Sequence, residues 1–132
     1  MFKKVKEIVS KDGVLHFRRW EILRTRWFVI NIHGIYHKDE DKHLHSHPWN
    51  FLSIVLWGSY MEELEGNKLN VRMFLNTAYR KAEAFHKIYH VYSKRVFTLN
   101  IMSTNTKPWG YQVDGSFVNH KEYRNLKNNK KV

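Results

Sequence analysis

Apolar and polar residues alternate with a period near two along most of this chain, and the alternation breaks at short runs of Gly, Asn, Asp and charge. That is the rhythm of strands joined by turns. Residues 14–23 (VLHFRRWEIL) and 26–35 (RWFVINIHGI) read as two strands, since β-branched and aromatic residues dominate both. The charged run 37–42 (HKDEDK) predicts a solvent-exposed loop. Residues 51–57 (FLSIVLW) form a continuous apolar run, short for a helix, and predict a buried strand that ends at Gly58. Residues 59–64 should return beside it, and Glu65-Gly66-Asn67-Lys68 makes a hairpin connection because Gly and Asn accept positive φ. The stretches 69–75, 86–93 and 95–103 supply further strands, while residues 1–10 carry only a faint helical signal. Strands recurring about every ten residues, with no repeat and no internal linker, predict an all-β sandwich or barrel. The expected organisation is one domain over residues 1–132, with a folded core from about 12 to 124 and a basic polar tail at 125–132.

Charge changes this picture little. The formal net charge is +11, but residues 1–11 contribute +3 and residues 121–132 contribute +4, which leaves an ordinary +4 for the body of the chain. Basic ends of this kind are solvated, so specific nucleic-acid binding is not expected. No cysteine is present, which excludes disulfides, thiolate metal sites and a cysteine nucleophile, and fits a reducing cytoplasm. The N-terminal stretch lacks the apolar core of a signal peptide, and no segment approaches the roughly 18 apolar residues of a membrane span.

Nine histidines are spread along the chain, and three of them fall in the run His43-Leu44-His45-Ser46-His47. Alternate residues of an extended segment point the same way, so these imidazoles share one face. Neutral imidazole is a good ligand for zinc, iron, nickel and copper. His86 and His90, in FHKIYH, offer a further ligand from another strand, with an i, i+4 spacing that again places both on one side. The zinc-protease pattern is excluded there, because no glutamate follows the first histidine.

The run His45-x-His47 followed by Gly58 resembles the first motif of the cupin superfamily. More closely, HLHSHPWNFLSIVLWGSY, AFHKI, VFTLNI, KPWGY and DGSFVNHKEY are similar to small, mostly uncharacterised cupin-like proteins from bacteria and phages that share an H-x-H-P-W-[DN]-F motif. The resemblance spans about residues 14–124 and implies a double-stranded β-helix, or jelly-roll barrel, with one divalent metal ion inside. It places the ligands at His45, His47 and His86. The position of the usual cupin glutamate falls on Phe51, so the implied site has three histidines. Such a site resembles that of the thiol dioxygenases when iron is bound, and an open three-histidine site also suits zinc. Ser46 stands where many of these proteins have aspartate, and Ser116-Phe117 where they have Gly-Trp.

Two functions remain open at this point. The first is a metal-dependent enzyme on a small molecule, dioxygenase-like or isomerase-like, using iron, zinc or nickel. The second is a non-catalytic pocket that binds or sequesters an anionic small molecule such as a nucleotide or sugar phosphate. His33, His43, His90, Trp49, Tyr60, Glu62, Arg72, Trp109 and Tyr111 are the candidates for lining or supporting the pocket, while His16, His37 and His120 carry no functional weight. Because open sheet edges invite pairing, a homodimer is expected.

Overall fold

The computed structural model describes residues 3–40, 42–104 and 107–129. Eleven strands and one helix follow in order: β1 (Lys3–Val9), β2 (Leu15–Arg24), β3 (Phe28–Ile35), β4 (Phe51–Trp57), β5 (Tyr60–Leu64), β6 (Lys68–Arg72), β7 (Thr77–Arg80), β8 (His86–Val91), β9 (Val96–Ser103), β10 (Gly110–Val113), β11 (Ser116–Asn119) and α1 (His120–Asn128). They form a six-stranded sheet in the order β1-β2-β3-β9-β4-β7, a three-stranded sheet β6-β5-β8 and the ribbon β10-β11. Every strand pair is antiparallel, and the expected all-β jelly-roll architecture is present.

Period-two alternation sorts the large sheet into two faces. In register across β3, β9 and β4, the inward rows are Ile35–Val96, His33–Thr98–Val55, Asn31–Asn100–Ser53 and Val29–Met102–Phe51. The apolar end closes as a core of Ile35, Val55, Tyr60 and Val96, against which Phe17, Ile88 and Val91 pack. Burial of this layer supplies the hydrophobic driving force of the fold. Next to it runs a buried polar band of Thr98, Asn100, Asn31 and Ser53. The outward rows of the same sheet are apolar as well, and Trp20, Ile32, Leu56, Trp57 and Phe97 line an open groove there.

The strand that begins at Phe51 ends at Trp57, and the turn after it needs glycine. Gly58 has φ of +78°, and a Cβ on it would lie 2.5 Å from the Arg95 carbonyl oxygen. The hairpin after β5 turns through Gly66 and Asn67, both at positive φ. The two chain ends depart from the expectation. Residues 3–9 form β1, an exposed edge strand paired with β2, where a faint helical signal stood in the sequence. The predicted tail is corrected too, because α1 runs to Asn128, its N-terminus capped by the Asn119 side chain accepting from the Lys121 N–H at 3.0 Å. Residues 1–2 and 130–132 lie outside the described residues.

Candidate metal centre

The His43–His47 segment is extended, yet it is pinned by isolated bridges rather than carried in a strand. His45 and His86 exchange both backbone hydrogen bonds at 2.9 Å, the His47 N–H donates to Ala82 O, and the Leu44 carbonyl accepts from Gln112 N. Ser46 faces the other way, where it is buried, and its Oγ accepts from the Gly110 N–H at 3.0 Å. Gly110 is required by the close approach of β11, since a Cβ there would stand 2.0 Å from the Val118 carbonyl oxygen. The clamp fixes the direction of both His45 and His47 while β8 delivers His86.

Ligand atoms of His45, His47 and His86 all lie within 4.8 Å of one another. Ring centroids are 5.1 Å apart for His45 and His47, 5.0 Å for His45 and His86, and 4.9 Å for His47 and His86. The Nε2 atoms of His47 and His86 face each other at 2.7 Å. Metal–nitrogen bonds of about 2.0–2.1 Å space neighbouring ligand nitrogens by roughly 3 Å, so this donor set fits one ion with little adjustment. Burial, together with the neighbouring His86 and His45, holds the His47 imidazole well below its ordinary pKa, which keeps it in the neutral form that binds metal.

A buried carboxylate organises His86. Glu62, on β5 and 2% exposed, accepts from His86 Nδ1 at 2.5 Å through Oε2, and from Arg80 Nη2 at 2.7 Å through Oε1. Burial alone would raise the Glu62 pKa, but the hydrogen bond from His86 and the bonded Arg80 guanidinium outweigh it and hold the group at about 2. A permanently ionised Glu62 keeps the His86 proton on Nδ1 and directs the Nε2 lone pair toward His47. On the apolar side, Phe51 meets the His47 ring edge-on at 5.1 Å, and Trp49 lies parallel to that ring at 6.4 Å. Tyr111 stands 6.1 Å from His45, stacked on Tyr123 of α1 at 3.7 Å.

Several expected positions fall elsewhere. His43 turns to the helix, where Nδ1 is 3.0 Å from Tyr123 Oη. His90 is exposed with its ring against Tyr92, and the i, i+4 argument fails for a definite reason. The β5–β8 register skips from Glu62↔Ile88 to Met61↔His90, so Tyr89 is an extra residue that inverts the parity of the strand. Trp109 stacks on His120 at 4.3 Å. Arg72 spends all five N–H groups on Asn76 Oδ1 and O, Ser53 Oγ and O, and Tyr60 Oη, which leaves none for a ligand. Tyr60 is buried behind it with its phenol pKa raised by that burial to about 12. His33 lies deeper along the interior, accepting from Arg19 Nε at 3.1 Å.

Asp39 was missed at the sequence level, and Arg80 was one of five basic residues beside the cavity strands (Arg72, Arg80, Lys81, Lys87 and Arg95) that the sequence could not tell apart. Asp39 of the charged loop stands 3.9 Å from His45 Nδ1, its Oδ2 accepting from the Ile88 N–H at 2.8 Å. A second cluster of His16, His37 and Glu40 also brings its ligand atoms within 4.8 Å of one another. Its two rings are stacked 4.3 Å apart and nearly parallel, so their lone pairs run side by side instead of converging.

No family model matches the chain, and no curated protein matches it. Solved structures do. A cupin-2 domain protein from Rhodospirillum rubrum, Rru_A2000, superimposes with a TM-score of 0.65 at 7% identity, covering 96% of this chain and 82% of that one. The DMSP lyase structures (RdDddP and RnDddQII) give a TM-score of 0.62 at 16% identity over 77% of this chain, and Fe(II) HppE gives 0.62 at 13% over 76%. The chain spans 56% of the length of each of these last two. The protein therefore has the cupin-type fold, and its barrel holds a three-histidine cluster. Among the described residues, no helix is long and apolar enough to cross a membrane.

Proposed function

We propose that the protein is a metal-dependent cupin enzyme acting on a small molecule, with His45, His47 and His86 holding one divalent ion. The observation that carries this reading is the convergence of three imidazoles, one of them fixed in its tautomer by a buried, ionised carboxylate. Iron, zinc and nickel all suit such a donor set. When bound, the ion supplies Lewis acidity or, as iron, dioxygenase-like chemistry. The chain's own residues then have separable tasks. Glu62 keeps the proton on His86 Nδ1, Arg80 holds Glu62 ionised, Phe51 and Trp49 exclude water from one side, and Tyr111 limits access beside His45. That HppE carries Fe(II) on the same fold supports the iron version.

Elemental analysis of tag-free protein tests the proposal. Near-stoichiometric iron, nickel or zinc that disappears in His45→Ala and in His86→Ala supports it, and oxygen-uptake or isomerase screens then separate the two chemistries. Folded wild-type protein that takes up none of these metals sinks it. A cytoplasmic homodimer belongs to the same proposal. The sheet edges are guarded, since β1 carries Lys3, Lys4 and Lys6 and β7 has only four residues. The apolar outer face around Trp57, which is 64% exposed, favours a second copy stacked on that face instead.

A further inference from the structure

We propose that Arg19 and Lys6 form an oxyanion subsite at the wall of the barrel beside the histidine cluster, and that the small molecule bound there carries a carboxylate or a phosphate-type group. This deepens the metal-enzyme reading and rests on it only for what the rest of the molecule meets.

The register of β1 against β2 carries the first part of the argument. Glu7 pairs with Arg18, and these opposite charges join at 2.6 Å. The adjacent pair, on the face that Arg19 shares with His33, is Lys6 with Arg19. It is set there by a register shift that leaves Val5 unpaired between Lys4 and Lys6. Two like charges directly opposite each other destabilise a sheet. Among the described residues, no carboxylate balances them.

Arg19 is also held ready. Its Nε donates to His33 Nε2 at 3.1 Å, and its guanidinium lies over Trp49 at 5.1 Å and against Phe17 at 5.6 Å. The two Nη groups have no partner among the described residues, so the planar fork that matches carboxylate and phosphate is fixed in place but unused. Desolvation lowers the Arg19 pKa to about 10, and Lys6, although exposed at the surface of β1, has its pKa lowered by partial desolvation and by Arg19 opposite it, as expected of cations that lack a counter-charge.

Location completes the case. Trp49 neighbours both the guanidinium, at 5.1 Å, and the His47 ring, at 6.4 Å, while Arg19 Nε bonds His33 of the same interior face. The other interior arginines are committed, Arg72 to Ser53, Tyr60 and Asn76, and Arg80 to Glu62. Among the described residues, Arg19 is the interior guanidinium with a fork to offer. A molecule anchored on it has its remaining groups directed past Trp49 toward the three histidines.

The test uses the full chain stripped of metal with a chelator, titrated with inorganic phosphate and separately with succinate at low ionic strength. Tryptophan fluorescence and the arginine Nε–H signals in NMR report binding. The expected result is saturable binding of at least one of the two, with one arginine signal shifting and affinity at least tenfold weaker in Arg19→Met. Arg19→Lys, which keeps the charge but loses the fork, and Lys6→Met should each weaken binding and carry the test where Arg19→Met does not fold. Tighter phosphate binding assigns a phosphate-type ligand, and tighter succinate binding a carboxylate. Absence of saturable binding of both anions overturns the proposal, as does unchanged affinity in the Arg19 variants. Metal is absent from this experiment, so anion binding that survives in a protein unable to hold metal refutes the metal reading alone.

Discussion

Replacing Glu62 by glutamine keeps the size of the side chain and removes the charge on which two neighbours depend. Arg80 would lose the carboxylate 2.7 Å away while its own Nε is already buried without a partner among the described residues, and His86 would lose the anion that holds its Nδ1 proton. Removing one member of a buried ion pair costs about 3–5 kcal/mol, because the other charge is left uncompensated. The low exposure of Glu62, 2%, places the pair in that regime rather than among surface pairs worth under about 1 kcal/mol. A chain of this size unfolds with an entropy near 0.3 kcal/mol/K, so a loss of about 3 kcal/mol lowers Tm by roughly 10 °C. Urea unfolding followed by tryptophan fluorescence, at neutral pH with chelator present, isolates this effect from metal binding. The double variant Glu62→Gln/Arg80→Met should recover about 1 kcal/mol or more relative to the sum of the single variants. In metal-loaded protein, Glu62→Gln should also weaken metal affinity by about 10–100-fold. A Glu62→Gln protein within about 0.5 kcal/mol of wild type, or strict additivity with Arg80→Met, would refute the reasoning.

Three other outcomes follow from the geometry. His33 is held well below its ordinary pKa of 6.5 by burial and by Arg19, so the unfolded chain binds the proton that the folded chain refuses. Stability should therefore fall as pH drops through about 6.5, approaching a limiting slope of about 1.4 kcal/mol per unit for this group, and unfolding free energies from urea titrations should fall by about 2 kcal/mol less between pH 7 and pH 5 in His33→Gln than in wild type; an equal fall would contradict the assignment. Gly110→Ala should destabilise by about 2 kcal/mol or more, because its Cβ would meet backbone rather than a side chain that can move, and thermal melts that place it within about 0.5 kcal/mol of wild type would contradict this. Light scattering should return twice 16.1 kDa for wild type and a monomer for Trp57→Lys, while a monomeric wild type at 100 μM would remove the dimer from the account.

The strands were legible because their signal is local. The run at 51–57 and the Gly66–Asn67 turn declare themselves in a handful of residues, and each appears where the pattern puts it. Spacing also places His45 and His47 on one face, since a two-residue step survives in any extended backbone. The i, i+4 step of His86 and His90 did not survive, because a single extra residue at Tyr89 reverses the parity and no sequence pattern announces a bulge. The partnership of Glu62 with Arg80 and His86 was equally hidden, for it depends on how three strands meet, and Glu62 and Glu63 look alike until the register is known. The C-terminal helix is a different kind of miss. Its Asn119 cap, Glu122 in the first turn and Lys127 in the last were all present in the sequence, masked by a composition that resembles a solvated tail.

The most direct measurement of the central claim is a crystal structure of protein loaded with iron or zinc, with diffraction data collected across the absorption edge of that metal. The account predicts one anomalous peak within about 2.0–2.2 Å of a ring nitrogen from each of His45, His47 and His86, with His86 Nδ1 still on Glu62. A peak bound elsewhere, or none between these three rings in metal-saturated crystals, would contradict it.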